Sequence, residues 1–277
     1  MKKHEIKKAV REGYAKIAKK ESPCCAPINS CCANKSAPED ISQGIGYTAD
    51  DLGSLPEGAN LGLGCGNPIA LASLKKGETV LDLGSGAGID CFLSAKKVGE
   101  NGKVIGVDMT PEMIEKAKAN ARKGNYTNVE FRLGEIEKLP VDDNSVDVII
   151  SNCVINLSPD KPDVFKEAFR VLKPGGRLMV SDIVLLKDLP DAVKNSISAY
   201  VGCLSGAIKK EEYLDTMKTT GFKDVRILDE NIFPIKYMAN DRTAKAAMEK
   251  LNVTSEELNK VGKSVASIKV SGIKPKY

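Results

Sequence analysis

Short apolar runs alternate with segments of helical periodicity along the middle of the chain. The runs fall at 79–83, 103–107, 129–133, 146–150 and 178–183. Runs of this length that are bounded by glycine and polar residues predict buried strands. Because candidate helices separate the strands, the pattern predicts an α/β fold with a mostly parallel sheet and helices on both faces.

Candidate helices lie before, between and beyond these runs. They cover 3–19, 111–123, 163–172, 191–205 and 211–219, and two later strands cover 224–228 and 265–273. Pro111 follows Thr110 at a favourable helix start. The sequence Lys173-Pro174-Gly175-Gly176 is expected to end the third of these helices.

The chain has 277 residues, enough for one large α/β domain with appendages or for two small domains. Its composition changes near residues 60 and 185, which suggests three regions. We predict an N-terminal helix and cysteine-rich loop at 1–68, the sheet domain at 69–185, and a smaller α+β region at 186–277.

The charged residues argue against two kinds of partner. The net charge is +4 with both signs interspersed, so we expect no nucleic acid partner. No window approaches the roughly 18 apolar residues of a membrane span, and the N-terminus carries no export signal. We therefore expect a cytoplasmic protein that does not bind membranes.

Histidine is scarce and cysteine is abundant. The chain has one histidine, His4, and eight cysteines. A histidine base, a Ser-His-Asp triad and a histidine-ligated zinc site are therefore disfavoured. Since cytoplasmic proteins rarely use structural disulfides, the cysteines indicate metal binding or redox chemistry.

The first strand of the sheet domain leads into the glycine loop Asp82-Leu83-Gly84-Ser85-Gly86-Ala87-Gly88. Such glycines let the backbone approach a ligand closely. The third glycine comes one residue earlier than in a dinucleotide-binding motif, and Asp82 suits an ammonium group better than a pyrophosphate. Asp108, at the end of the next strand, can accept hydrogen bonds from two ribose hydroxyls. Together these features favour S-adenosylmethionine over NAD.

Three separated cysteines have surroundings that suit a ligand site. Cys153 directly follows the fourth strand, Cys65 lies in a glycine turn, and Cys203 has small neighbours. Three thiolates would suit a soft, three-coordinate ion. Free cysteines are also common as small buried hydrophobes, and we interpret Cys91 as one of these.

Several of these motifs together resemble the class I S-adenosylmethionine-dependent methyltransferases. They are the glycine loop 82–88, Gly106-Val107-Asp108, Gly134-Glu135 and Leu172-Lys173-Pro174-Gly175-Gly176, and the match covers about residues 70–185. The resemblance implies a Rossmann-like sheet that binds S-adenosylmethionine. It also implies a set of cofactor-binding residues, namely Asp82, Gly84, Ser85, Gly86, Gly88, Asp108, Met109, Glu135, Ile136 and Asn152.

The same resemblance implies individual roles. The backbone of Gly84 and Gly86 would cradle the methionine moiety of the cofactor. Glu135 with Ile136 would contact the adenine edge, and Asn152 would close the site near the sulfonium.

A more specific resemblance covers nearly the full length. Residues 59–68, residues 152–157 and the segment around Cys203 resemble the arsenite S-adenosylmethionine methyltransferases. The resemblance implies that Cys65, Cys153 and Cys203 bind As(III) as substrate, with no permanent metal. Trivalent arsenic keeps a lone pair that can attack the sulfonium methyl group, so no proton has to be abstracted. Positioning would then do most of the catalysis.

The resemblance also implies a redox cysteine nearer the N-terminus. The loop at 21–38 holds Cys24, Cys25, Cys31 and Cys32. Methyl transfer oxidises arsenic, and a disulfide formed with Cys31 or Cys32 could return the electrons. A thioredoxin-like or small-thiol reductant would then restore the enzyme. The same loop could instead hold zinc or copper.

Two other functions stay open from the sequence alone. The protein could be a class I methyltransferase of a small organic substrate. It could also be a metalloid-binding protein without catalysis. Arsenite and methylated arsenicals are the ligands that the leading hypothesis predicts.

Overall fold

The computed structural model describes residues 2–19, 37–194, 196–201, 203–232 and 261–276. The strands within these residues are β1 Thr79–Leu83, β2 Lys103–Asp108, β3 Val129–Leu133, β4 Val146–Asn152, β5 Leu172–Leu185, β6 Lys223–Ile232 and β7 Val265–Ile273. The helices in the same part of the chain are α1 Lys3–Lys19, α2 Ala37–Gly44, α3 Ala49–Gly53, α4 Ile89–Val98, α5 Pro111–Lys123, α6 Lys161–Val171, α7 Asp191–Lys194, α8 Ile197–Val201 and α9 Lys210–Thr220, with a 3₁₀ helix at Ile155–Leu157.

All the described strands form one sheet in the order β3-β2-β1-β4-β5-β7-β6. Strands β1 to β5 pair in parallel, and β7 lies antiparallel between β5 and β6. The predicted mostly parallel α/β sheet is therefore confirmed. Strands β2 and β3 are added in turn on one side of β1, and β4 then pairs with the other side of β1. A strand order of this kind opens a crevice at the carboxyl ends of β1 and β4.

The predicted C-terminal region contributes to this same sheet. Strands β6 and β7 come from 186–277, and β7 pairs along the whole second half of β5. The sheet is therefore shared between two of the three predicted regions, and the division into regions stays a prediction. The cysteine-rich loop lies outside the described residues.

The segment Lys173-Pro174-Gly175-Gly176 follows a helix end as expected, since α6 ends at Val171, and it lies within the long strand β5, which shifts its register against β4 between Val146 and Val148. One local expectation is wrong. The helix expected over 191–205 is divided into α7 and α8, because the Ser196 hydroxyl accepts a hydrogen bond from the backbone of Ala199 and so starts a new helix.

Helices cover both faces of the sheet. On one face Phe165 of α6 and Tyr213 of α9 are fully buried, with their rings edge to face at 5.4 Å. On the other face Phe92 of α4 is equally buried. Burying side chains of this size stabilises the fold by about 1.5–3 kcal/mol each, so the sheet is a rigid support for the loops at its edge.

Helix α1 packs near the carboxyl edge of the sheet. Its Ile6 and Val10 are buried in the same apolar cluster as Cys65, Cys153 and Cys203. Among the described helices, none has both the length and the apolar character that crossing a bilayer requires.

Candidate active site

A single cavity opens at the carboxyl ends of β1, β2 and β4. It encloses about 1460 Å³ of space, including its open mouth. Most of the residues predicted from the sequence line it, namely Cys65, Asp82, Gly84, Ser85, Gly86, Asp108, Met109, Ile136, Asn152, Cys153 and Cys203. Two predicted residues of the described chain, Gly88 and Glu135, do not line it.

The glycine loop forms one wall of the cavity. Gly84 and Gly86 both have positive φ angles, +68° and +53°. A Cβ at Gly84 would collide with Val154, whereas one at Gly86 would point into open space. The hydroxyl of Ser85 between them is buried without a hydrogen-bond partner among the described residues. A bare backbone beside an unsatisfied hydroxyl fits a polar ligand that lies against the loop.

Asp108 is oriented for a ligand at the end of β2. Its carboxylate accepts hydrogen bonds from the backbone of Gly86 at 3.0 Å and of Thr110 at 2.8 Å. Burial raises the pKa of this carboxyl, and the two backbone donors oppose that rise. Each oxygen keeps a free lone pair, so the pair of oxygens can accept two vicinal hydroxyls such as those of a ribose.

Glu135 binds helix α1 instead of facing the cavity. Its carboxylate pairs with Lys7 at 2.8 Å and with Arg11 at 3.3 Å. The next two residues along the chain, Ile136 and Glu137, line the cavity, and Glu137 also pairs with Lys7 at 3.1 Å. The adenine-binding role of Glu135 stays a prediction.

Helix α1 forms a cover over this part of the cavity. Lys7, Val10 and Tyr14 line the cavity. Further ion pairs join Lys3 to Asp160 and Lys19 to Glu112. The sequence analysis predicted the helix, but its periodicity carried no signal of where it docks.

A group of buried acids lies behind the glycine loop. Tyr47 donates a hydrogen bond to Asp90 at 2.7 Å, and Cys91 donates one to Asp82 at 3.2 Å. Burial raises the pKa of Asp90 to about 6, and burial together with the nearby Asp90 raises the pKa of Asp82 well above its ordinary value. Two adjacent acids in a cavity wall are suited to an ammonium group, which would neutralise their charge. The sequence analysis missed Tyr47 and Asp90, whose pairing bridges 43 positions.

Asn152 joins the acid group to the turn that carries Cys65. Its side-chain amide donates to the carbonyl of Gly66 at 2.8 Å, to the Tyr47 hydroxyl at 2.9 Å and, more weakly, to Asp90 at 3.3 Å. Its side-chain oxygen accepts from the backbone of Cys65 at 3.1 Å. One side chain therefore fixes the position of the Cys65 turn relative to Tyr47 and Asp90.

The Cys65 turn is pressed tightly against the sheet. A Cβ at Gly64, whose φ is +113°, would come within 2.8 Å of Asn152, and a Cβ at Gly66 would collide with Ser181. The Ser267 hydroxyl of β7 donates to the carbonyl of Cys65 at 2.8 Å. The flanking glycines are what allow Cys65 to approach β4, β5 and β7 so closely.

Cys153 and Cys203 both adopt the left-handed backbone region, with φ of +60° and +63°. This conformation costs a non-glycine residue on the order of 1–3 kcal/mol and is typical of functional sites. The Cys153 backbone donates to the carbonyl of Ser181 at 2.7 Å, and the Cys203 thiol donates to the carbonyl of Cys153 at 3.2 Å. The strained turns thus bring the two cysteines into contact.

The sulfur atoms meet beside a buried carboxyl. The Sγ atoms of Cys65 and Cys153 and a carboxylate oxygen of Asp182 all lie within 4.8 Å of one another. Burial raises the pKa of Cys65, and hydrogen bonding with the other two thiols, together with burial, raises that of Cys153. A raised pKa favours the protonated thiol at Cys65 and Cys153 as long as no ligand is bound. Asp182, at the end of β5, was not predicted.

The comparisons with known proteins agree with this geometry. A family model described as a methyltransferase domain matches residues 74–221. An arsenite methyltransferase of Halobacterium salinarum is 50% identical over 230 residues, which cover 80% of this chain and 59% of that protein. The arsenite methyltransferase of Homo sapiens is 33% identical over 242 residues, covering 84% of this chain and 62% of that protein.

A solved structure gives the same result. The crystal structure of an arsenic(III) S-adenosylmethionine methyltransferase from Chlamydomonas reinhardtii is 33% identical, with a TM-score of 0.60, and covers 88% of this chain and 75% of that one. The sheet order and the glycine loop define the class I methyltransferase fold. Within that class, the chain belongs to the arsenite methyltransferase family. It spans about six tenths of the length of the curated relatives.

We predict that affinity for S-adenosylmethionine falls as the pH is lowered through about 6, where Asp90 takes up a proton. At pH 5 about one tenth of a group with this pKa is ionised, so binding should be roughly ten-fold weaker than at pH 7.5. The folded-state pKa lies above the ordinary 3.8, so protonation of Asp90 favours the folded protein and unfolding through this group does not explain the loss. Calorimetric titration of wild type and Asp90→Asn measures the effect. Asp90→Asn should bind S-adenosylmethionine weakly, and its affinity should depend less on pH. A wild-type affinity that is equal at pH 5 and pH 7.5 would contradict the role of Asp90.

We predict that Asn152→Ala weakens binding of both S-adenosylmethionine and arsenite, because it leaves the Cys65 backbone without its acceptor and removes the donor to the Tyr47 hydroxyl and Asp90. An unsatisfied buried group costs about 1–3 kcal/mol, which corresponds to roughly ten-fold or more in each affinity. Tyr47→Phe is the matched control, since it should weaken only S-adenosylmethionine binding. Separate titrations with each ligand measure the effects. If Asn152→Ala lost affinity for only one of the two ligands, the residue would not connect the S-adenosylmethionine site with the arsenite site.

Proposed function

We propose that this protein is an arsenite methyltransferase that transfers the methyl group of S-adenosylmethionine to As(III) bound by Cys65, Cys153 and Cys203. One observation carries the proposal: a single cavity is lined by the glycine loop and Asp108 at one end and by these three cysteines at the other. Donor and acceptor sites that share one cavity support direct transfer between them.

The residues around the glycine loop would hold the methyl donor. Gly84 and Gly86 leave their backbone open to the methionine moiety, and the buried acids Asp82 and Asp90 would pair with its ammonium group. Asp108 would accept the ribose hydroxyls. The adenine would then reach toward Ile136, under helix α1.

The three thiols would hold the methyl acceptor. Each thiol displaces one hydroxyl of arsenite and its proton leaves with that hydroxyl as water, so the bound arsenic is neutral. The thiols line the cavity from three different segments of the chain and are buried, which keeps competing water away from the bound arsenic.

Methyl transfer then needs no proton acceptor. The arsenic lone pair forms the new As–C bond while the S–CH₃ bond of the sulfonium breaks, and neutral S-adenosylhomocysteine leaves. This agrees with a chain whose one histidine, His4, does not line the cavity. The protein has to align the sulfonium with the arsenic. Asn152 is suited to this task because it bonds to the Cys65 backbone on the acceptor side and to Asp90 on the donor side.

Transfer raises arsenic from the trivalent to the pentavalent state by two electrons. Two cysteine thiols can return these electrons by closing a disulfide and releasing two protons. Cys31 or Cys32 is our candidate for the partner thiol, although both lie outside the described residues. A thioredoxin-like or small-thiol reductant would reopen the disulfide, and reduced thiols of this kind favour a cytoplasmic location.

The ligand set is tested by incubating the reduced protein with arsenite, S-adenosylmethionine and thioredoxin, followed by arsenic speciation. Cys65→Ser, Cys153→Ser and Cys203→Ser should each reduce methylation at least ten-fold, because a hydroxyl is a poor ligand for a soft ion. Cys91→Ser is the matched control, since this buried cysteine lies on α4 and does not line the cavity; it should keep arsenite binding. Full activity in any of the three variants would remove that cysteine from the ligand set. Arsenite binding without methylated product would instead indicate a binding protein.

The reductant is tested in a single turnover without thioredoxin. Wild type should form one methylated arsenical and one new disulfide per chain, detected by peptide mapping. The double variant Cys31→Ser, Cys32→Ser should bind arsenite normally but accumulate pentavalent product without a disulfide. Unchanged disulfide formation in this variant would assign the redox role to other cysteines.

A further inference from the structure

Asp182 is the one member of the buried ligand cluster that the proposed methyl transfer does not use. Its carboxylate oxygen lies within 4.8 Å of the sulfur atoms of Cys65 and Cys153, and all three side chains are buried. As(III) with three thiolates and a lone pair has no need of a carboxylate. The burial of Asp182 is compensated by hydrogen bonds and by the nearby Lys161, so an ionised carboxylate beside the two sulfur atoms can serve a second role.

The carboxylate is oriented as a metal ligand would be. Tyr213 donates to one of its oxygens at 3.1 Å, and the backbone of Ile183 donates to the other at 3.0 Å. Hydrogen bonds of this kind commonly fix the carboxylates that coordinate metals. The backbone of Asn156 is a third donor, so three of the four lone pairs of the carboxylate are used and one stays free for a ligand.

We propose that this pocket is also a binding site for a thiophilic divalent cation such as Zn²⁺ or Cd²⁺, held by Cys65, Cys153 and Asp182. Cysteine thiolates and carboxylates are both ligands of Zn²⁺, which prefers four ligands in a tetrahedron. Cys203 lies outside this cluster, so a water molecule from the cavity would fill the fourth position. The inference rests on the proposed function only in that both use the same cysteines.

The local charges accommodate such a cation. A divalent ion with two thiolates and one carboxylate carries a net charge of −1. The buried ammonium of Lys161, which lies close enough to Asp182 to oppose the rise of its pKa, balances that charge. With arsenic bound to three thiolates instead, Asp182 and Lys161 balance each other. Neither ligand leaves an uncompensated buried charge.

The two ligands must therefore exclude each other. Both need the sulfur atoms of Cys65 and Cys153, whereas the methyl donor binds at the other end of the cavity. The cation should inhibit methylation in competition with arsenite but not with S-adenosylmethionine. Asp182 distinguishes cation binding from arsenite binding, because the cation uses its carboxylate and the metalloid does not.

The test uses the full chain with Cys24, Cys25, Cys31 and Cys32 replaced by Ser, so that the N-terminal loop cannot bind the probe. Cd²⁺ is titrated anaerobically and followed by its thiolate charge-transfer absorption. Arsenite is titrated in parallel. We expect Asp182→Asn to weaken Cd²⁺ binding about ten-fold or more and to leave arsenite binding at the level of the parent. Asp224→Asn, an exposed acid that pairs with Arg226 at the opposite edge of the sheet, is the matched control and should change neither affinity.

Each outcome decides one of the two ideas. Equal Cd²⁺ affinity in Asp182→Asn and the parent, or no Cd²⁺ binding in a parent that binds arsenite, would overturn the cation site and leave the proposed function standing. Failure of the parent to bind arsenite would overturn the proposed function, whatever Cd²⁺ does. If Asp182→Asn does not fold, Tyr213→Phe takes its place. That variant loses one hydrogen bond to the carboxylate, so it should bind Cd²⁺ more weakly and arsenite normally, and unchanged Cd²⁺ affinity would again overturn the site.

Discussion

The active site depends on the hydrogen bonds of one amide side chain. Asn152 lies at the end of β4, where the strand order turns back, and it contacts the acid group on one side and the Cys65 turn on the other. The proposed methyl transfer needs donor and acceptor at a fixed separation, and the residues that line the two sites come from segments far apart in the chain. Because a rigid sheet carries this side chain, the distance between the sites is set by the most stable part of the fold.

The cysteines show a second constraint, which is local strain. Cys153 and Cys203 hold backbone conformations that favour glycine, yet both positions carry a thiol. The surrounding contacts compensate for the strain: the Cys153 backbone bonds to β5, and Cys203 follows a short helix that packs against the same apolar cluster. A soft ligand that bonds to both sulfur atoms is the chemical reason that best explains why cysteine occupies these turns.

Much of the fold was predictable because it depends on local patterns. Apolar runs marked β1 to β5, and the glycine loop marked the cofactor wall. The parts that were missed depend on contacts between distant segments. Periodicity predicted α1 but could not show that Lys7 and Arg11 draw Glu135 away from the cavity. Nor could it place Tyr47 against Asp90, or Asp182 beside two cysteines, since those neighbours meet only after the sheet is formed.

Helix α1 covers part of the cavity, so its contacts affect the rates at which ligands enter and leave. Its charged contacts, such as those of Lys3 with Asp160 and Lys19 with Glu112, join partly exposed side chains. Ion pairs of this kind contribute only about 0–1 kcal/mol each and are screened by salt. The ionic part of the α1 contact is therefore weakened by salt while the burial of Ile6 and Val10 is not, so the rates at which a ligand enters and leaves the cavity become sensitive to the ionic strength of the surroundings.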